Sequence, residues 1–246
     1  MFFLLSGEGA ADMGAGRGAA AICEGKDFLV GPMAYIVAKV VEAKHNYSIL
    51  EGACGFISEG SVAHLAYQLK AVKKKLRLPG KKQAKETRYF FNNARILARI
   101  AREKATSLND DVVAVLFRDS DGTASAGRGE WYDKRESMLD GFNEEGFERG
   151  VPMIPKPKSE AWLICAWKTQ PYRECDALEK RSGNDDSPNN LKGELEDLLD
   201  EEVTREVLRE KVNDSFDIDR MKMPSFKAFR DRLEEVICPA WVSRAR

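Results

Sequence analysis

Six consecutive apolar residues, Val112-Val113-Ala114-Val115-Leu116-Phe117, stop abruptly at Arg118-Asp119-Ser120-Asp121-Gly122. A strand without polar alternation must be covered on both faces, and a parallel sheet between two helical layers does this. Phe2-Phe3-Leu4-Leu5 ends in the same manner, at Ser6-Gly7-Glu8-Gly9. Two further strand signals lie at Tyr47 to Ile57 and Val151 to Ile154, the first with a glycine-bent middle. Between them, apolar residues recur at helical spacing over Phe28 to Ala43, Ser58 to Leu78, Thr87 to Lys104 and Trp131 to Gly146. Ser159 to Trp167 opens another helix, with Ser159 as its expected N-cap. Strands alternating with helices predict an α/β fold with a Rossmann-like parallel sheet and right-handed crossovers.

With 246 residues, 43% of them apolar, the chain can bury one sizeable core and offset its conformational entropy. No window approaches the 18 or so apolar residues of a membrane helix. The polar stretch Gly183 to Asn190 separates this pattern from charged amphipathic helices at Leu191 to Val212 and Ser225 to Val236. The expected organisation is an α/β core over 1–170 and a helical C-terminal extension over 171–246, packed on the core because it lacks a large apolar set of its own.

Five cysteines, Cys23, Cys54, Cys165, Cys175 and Cys238, form no C-x-x-C pair, so neither a disulfide framework nor a structural zinc site is expected. These features describe a soluble, reduced, cytoplasmic protein. The two histidines, His45 and His64, have no partner at metal-ligand spacing, which removes a histidine-rich metal centre and an H-E-x-x-H protease. Chemistry, if present, falls to carboxylates.

The near-neutral total charge hides an asymmetry. Lys70 to Lys104 holds thirteen basic and two acidic residues, a net +11 that the remaining residues must balance with about −12. Such a helical insertion is either a solvated face or a phosphate-attracting surface whose affinity falls with salt. Its nucleic-acid-binding candidates are Lys73, Lys74, Lys75, Arg77, Lys81, Lys82, Lys85 and Arg88. The neighbouring Tyr89, Phe90 and Phe91 match the apolar stripe and are expected in the core.

The acidic residues share a topological position. Glu8 follows the first strand with Asp12 one helical turn beyond, Asp119 and Asp121 follow the third, and Glu160 opens the helix after the fourth. Groups just past the carboxyl ends of parallel strands converge in one crevice. Crowded carboxylates repel unless a cation compensates, and oxygen-only ligands select Mg²⁺ or Mn²⁺. The predicted ligands are Glu8, Asp12, Asp119, Asp121 and Glu160, and the predicted chemistry is metal-assisted phosphoryl transfer or hydrolysis. The competing structural reading of Asp12 and Glu160 is helix capping.

Strand-Glu-Gly followed by strand-Asp-x-Asp in an α/β context resembles the Toprim domain of topoisomerases, bacterial primases and the overcoming-lysogenization-defect nucleases. Glu8-Gly9-x-x-Asp12 and Pro157-Lys158-Ser159-Glu160-Ala161-Trp162-Leu163 are similar to small stand-alone Toprim-related proteins of bacterial defence loci. The resemblance covers about residues 1–170. It implies that Glu8 binds metal or acts as a base, that Asp119 and Asp121 hold Mg²⁺, and that Glu160 completes a two-metal site. It further implies a lysine near the scissile phosphate, for which Lys158 or Lys156 would serve. The implied activity is a nuclease in antiviral defence or DNA maintenance, acting on nucleic acid, DNA foremost. The long basic insertion and the lack of an attached ATPase depart from the pattern, so a separate ATPase partner is implied.

Two other readings compete. Asp119-Ser120-Asp121-Gly122-Thr123 also resembles the first motif of haloacid-dehalogenase-type phosphatases, although that motif normally begins the core. A non-catalytic Toprim-like scaffold would instead bind a partner ATPase or nucleic acid, using the acidic tail helices and the exposed-looking Trp162, Trp167 and Trp241. A dinucleotide site fails because Asp12 stands where G-x-G-x-x-G needs its third glycine, and no Walker A lysine motif occurs.

Overall fold

The computed structural model describes residues 1–17, 20–72, 85–120 and 130–242. The chain begins with β1 (Phe2–Gly7), a π-helical turn (Gly9–Met13), β2 (Gly14–Gly16), β3 (Cys23–Glu24) and β4 (Phe28–Val30). Next come α1 (Pro32–His45), β5 (Cys54–Ser58), α2 (Glu59–Val72), α3 (Lys85–Leu108) and β6 (Val112–Phe117). After α4 (Glu130–Glu144), β7 (Gly150–Met153) and α5 (Ser159–Trp167), the chain ends in α6 (Leu191–Leu199), α7 (Arg205–Ser215) and α8 (Pro224–Val242).

The main sheet has five strands in the order β3-β5-β1-β6-β7, all parallel except the edge strand β3. Helices flank it, so the architecture is α/β and Rossmann-like. β1 and β6 are buried at every residue, which is why their sequences show no alternation. Alternate side chains serve different cores. Phe3, Leu5, Val113, Val115 and Phe117 pack in the cluster shared by α1 and α5. Phe2, Leu4, Val112, Ala114 and Leu116 pack with the apolar stripes of α2, α3 and α4. Phe90, Ala94, Leu97, Ala98 and Ala101 form the buried stripe expected for α3.

The three tail helices contribute Leu195, Leu208, Phe226, Phe229 and Leu233 to the same core as α1 and α5. Trp162 of α5 is the largest fully buried side chain, with rings 5.1 Å from Phe226 and 6.0 Å from Phe229. Its indole N–H donates to Ser225 Oγ at 2.8 Å. This corrects the exposed reading of Trp162; Trp167, which donates to Ser215 Oγ at 3.0 Å, is half-buried. Arg232 of α8 donates to the Gly150 and Glu148 carbonyls at 3.0 and 2.5 Å, covering the outer edge of β7.

Several boundaries differ from the sequence reading for local reasons. Only Cys54–Ser58 is strand, because Tyr47 to Ala53 is a turn with Gly52 at φ 109°. Phe28–Val30 pairs with Gly14–Gly16 before α1 begins at Pro32, whose missing N–H suits the first turn of a helix. The stretch from Leu191 to Val212 divides at Asp200 (φ 52°), and the second helix starts from Thr204, whose hydroxyl accepts from Val207 N at 3.3 Å.

Cys165 and Cys175 form a disulfide, contrary to the expectation of none. Cys165 faces the core from α5, and the chain returns to it through the Tyr172 N to Cys165 O hydrogen bond of 2.8 Å, bringing the two Cα atoms to 5.5 Å. A ten-residue separation carries no C-x-x-C signature. Among the described residues, no helix is long and apolar enough to cross a membrane.

Replacing Trp162 by alanine removes three aromatic and polar contacts from the centre of this core. The expected loss is about 3–5 kcal/mol of unfolding free energy. Urea denaturation followed by circular dichroism measures it, and a loss below about 1 kcal/mol would mean that the tail helices do not depend on α5.

Candidate functional site

The register of the sheet brings four strand ends level. Gly7 pairs with Ser58 on one side and Phe117 on the other, and Phe117 pairs with Met153. The chain leaves β1 for β5 on one side and returns to β6 on the other, so the β1–β6 boundary is the topological switch point where open α/β sheets form a crevice. The next residues along these strands are Glu8, Glu59 and Arg118, which therefore stand in a row along the carboxyl edge. Gly7 suits this crowding, since a Cβ there would lie 2.9 Å from the Phe117 side chain.

The candidate residues meet through backbone amides. Glu8 Oε1 accepts from Asp119 N at 2.9 Å, and Asp119 Oδ1 accepts from Ser159 N at 2.9 Å. The Ser159 hydroxyl donates to Asp12 Oδ1 at 2.7 Å and lies 3.3 Å from Glu160 Oε2. One relay thus connects Glu8, Asp119, Ser159, Asp12 and Glu160 from β1, β6, the π-turn and α5. Ser159 is the first helical residue rather than the N-cap, which is Lys158. Its amide is one of the donors that a helix N-terminus leaves without an intrahelical acceptor, and the Asp119 carboxylate satisfies it while facing the positive end of the helix dipole.

Asp12 reaches this point because Gly9 turns the chain at φ 76° and the following π-turn swings residue 12 back. Burial raises the Asp12 pKa from 3.8 to about 6, with the Ser159 hydroxyl opposing the shift and the nearby Glu160 charge adding to it. Lys158 pairs with Asp185 at 2.9 Å, so the polar stretch after residue 183 also arrives at the start of α5.

Three contributors, Glu59, Arg118 and Lys134, were not singled out from the sequence, and Tyr89, expected in the core, is exposed beside them. Arg118 N–H groups pair with Glu8 Oε2 at 3.2 Å and with Glu59, whose carboxylate also accepts from the Tyr89 hydroxyl. The Arg118 guanidinium sits 4.1 Å from the centre of the Tyr89 ring and 5.4 Å from that of Phe90. Lys134, only 1% exposed, reaches from α4 to donate to Ser120 O at 2.7 Å and holds the turn that carries Asp119. Ser120 is further tied to Pro157 O, through its N at 3.0 Å and its hydroxyl at 3.1 Å. Lys134 was detectable as a charged residue on the stripe Lys134, Ser137, Met138, Gly141, Phe142, all buried. Glu59 and Arg118 carried no motif; their proximity follows only from register.

Asp121 lies outside the described residues, as do Lys73, Lys74, Lys75, Arg77, Lys81, Lys82 and the side chain of Lys85. Arg88 is exposed in the first turns of α3, next to Tyr89. The later cations of the basic run are engaged. Arg95 and Arg99 bind the Glu145 carboxylate at 2.7 Å each, Arg102 donates to Glu145 O at 2.8 Å, and Lys104 pairs with Glu24 at 2.5 Å. Burial works against the Glu145 charge, yet hydrogen bonds from Arg99 and Arg95 prevail and hold its pKa below the ordinary value. Among the described residues, no three His, Cys, Asp or Glu side chains are grouped so as to hold a metal ion. Comparison with known protein families, with curated proteins and with solved structures finds no match.

The Asp12 shift has a definite sign. Its folded pKa, about 6, lies above the 3.8 of an ordinary side chain, so the fold favours the protonated form. This group therefore costs no stability below about pH 4, costs progressively more as pH rises towards 6, and stays costly above that. Asp12→Asn keeps an Oδ1 acceptor for Ser159 and cannot ionise. In chelator-treated protein, its melting temperature is expected to gain on the parent between pH 4 and 6 and to hold that gain at pH 7. Thermal unfolding across this range decides the point, and a difference independent of pH would contradict the shift.

Proposed function

We propose that the chain is a Toprim-type nuclease that hydrolyses nucleic-acid phosphodiesters, DNA foremost, with Mg²⁺ or Mn²⁺ as cofactor, in antiviral defence or DNA maintenance. The supporting observation is the relay that gathers Glu8, Asp119, Asp12 and Glu160 at the switch-point crevice. Their donor chemistry fits a hard divalent ion, since all four are carboxylates. Glu8 and Asp119 would hold the ion with Asp12, Glu160 and, from the sequence motif, Asp121. When bound, the ion would neutralise phosphate charge and lower the pKa of attacking water.

The chain's own residues supply the rest. Glu8 and Asp119 are oriented by amide donors, so their carboxylates are placed before any ligand arrives. The N-terminus of α5 directs its dipole at Asp119 and favours negative charge in the crevice. Lys158, beside this terminus, supplies a cation for a phosphate oxygen once Asp185 is displaced. Arg88 and the basic sequence that leads into α3 favour a polyanionic substrate. A separate ATPase partner remains part of the proposal.

Purified protein is expected to nick supercoiled plasmid with Mn²⁺ or Mg²⁺ and not with chelator. Glu8→Gln and Asp119→Asn retain the oxygen that accepts the amide, so each variant should fold and lose about 100-fold or more in nicking rate. Parent-like cleavage by both variants would refute the catalytic assignment. DNA binding without metal-dependent cleavage would replace it with a non-catalytic scaffold. Hydrolysis of a phosphomonoester with no action on DNA would replace it with a haloacid-dehalogenase-type phosphatase.

A further inference from the structure

We propose that Arg118 is the residue that contacts the substrate phosphate in this crevice, held on Glu8 and Glu59 while no ligand is bound. The inference rests on the nuclease reading for its substrate but on separate geometry for its residue. The register places Glu59, Glu8 and Arg118 in that order across the β5-β1-β6 edge, and the Arg118 guanidinium reaches back to pair with both carboxylates at the mouth of the switch point. The Arg118 side chain is 27% exposed.

Tyr89 and Phe90 lie 4.1 and 5.4 Å from the guanidinium carbon. Stacking fixes the plane of the group and leaves its N–H edges to make hydrogen bonds, which suits the two-pronged geometry of a phosphate. The contact to Glu8 is the long one, 3.2 Å. A divalent ion held by Glu8 would weaken this pair and leave Arg118 N–H groups to donate to a phosphate oxygen instead. Tyr89, 36% exposed, extends the aromatic surface outward from this position, and its sequence neighbour Arg88 is exposed. A purely structural tie between the ends of β1, β5 and β6 would use the same ion pairs, so the test must separate the two roles.

Fluorescence anisotropy of a labelled oligothymidine, in low salt with Ca²⁺ and again with chelator, measures phosphate affinity directly. Arg118→Gln should bind about tenfold or more weakly, with Arg118→Lys recovering part of the loss. Glu59→Gln, which removes a competing carboxylate but keeps an acceptor for Tyr89, should tighten binding several-fold. A structural tie predicts the opposite sign for Glu59→Gln, and that variant also serves if Arg118→Gln fails to fold. Unchanged affinity in Arg118→Gln, weaker binding in Glu59→Gln, or no binding by the parent would overturn the proposal. If the oligonucleotide depends on Arg118 but the parent never cleaves DNA, the nuclease reading fails alone. If the parent cleaves and Arg118→Gln keeps its KM, this inference fails alone.

Discussion

The site depends on one small set of bonds: the Asp119 carboxylate accepts the first amide of α5 while the Asp119 amide donates to Glu8. These two hydrogen bonds join the carboxyl end of β1, the carboxyl end of β6 and the start of α5. Each uses a backbone donor that the ladder or helix cannot itself satisfy, so leaving it unmade would cost desolvation as well as the bond. The turn after β6 is held from below by buried Lys134 and from the side by the segment around Pro157, so Asp119 is fixed from three directions. Position in the crevice is therefore a property of the fold before it is a property of any ligand.

Charge is distributed along the same edge in a way that suits exchange. Arg118 neutralises Glu8 and Glu59, whereas Asp12 and Glu160 share a single serine hydroxyl, and burial together with the Glu160 charge makes Asp12 costly to ionise. The crevice is internally compensated on the β5 side and undercompensated on the α5 side. A divalent cation and a phosphate would together meet both needs, one taking the carboxylates and the other the guanidinium. The basic run of the sequence divides in a parallel way. Its later arginines are committed to Glu145 and brace α3 against the end of α4, while Arg88 near the start of the helix is exposed.

Much of this was legible in the residue order. The unbroken apolar runs of β1 and β6, the helical stripe of α3 and the carboxylates after strand ends required only the period of side-chain burial and the rule that ligands gather at strand carboxyl ends. Glu8, Asp12, Asp119 and Glu160 were singled out on that basis; hydrogen bonds through the Asp119 amide and Ser159 link them, but, among the described residues, no three of their side chains are grouped so as to hold a metal ion. Less visible were features whose partners lie far along the chain. Trp162 looked like surface because its covering residues, Phe226 and Phe229, come more than sixty positions later. The Cys165–Cys175 pair carried no spacing signal.

The sequence by itself determined the layered α/β architecture and the chemical character of the crevice, because periodicity and residue type act locally and survive without knowledge of neighbours. Tertiary structure alone decided which charges face one another. Arg118 pairs with both Glu8 and Glu59 because three strands end in register, and Ser159 reaches Asp12 because a π-turn and a helix start converge across 147 positions. Register and convergence depend on how strands and helices pack, and no window of residues contains that information.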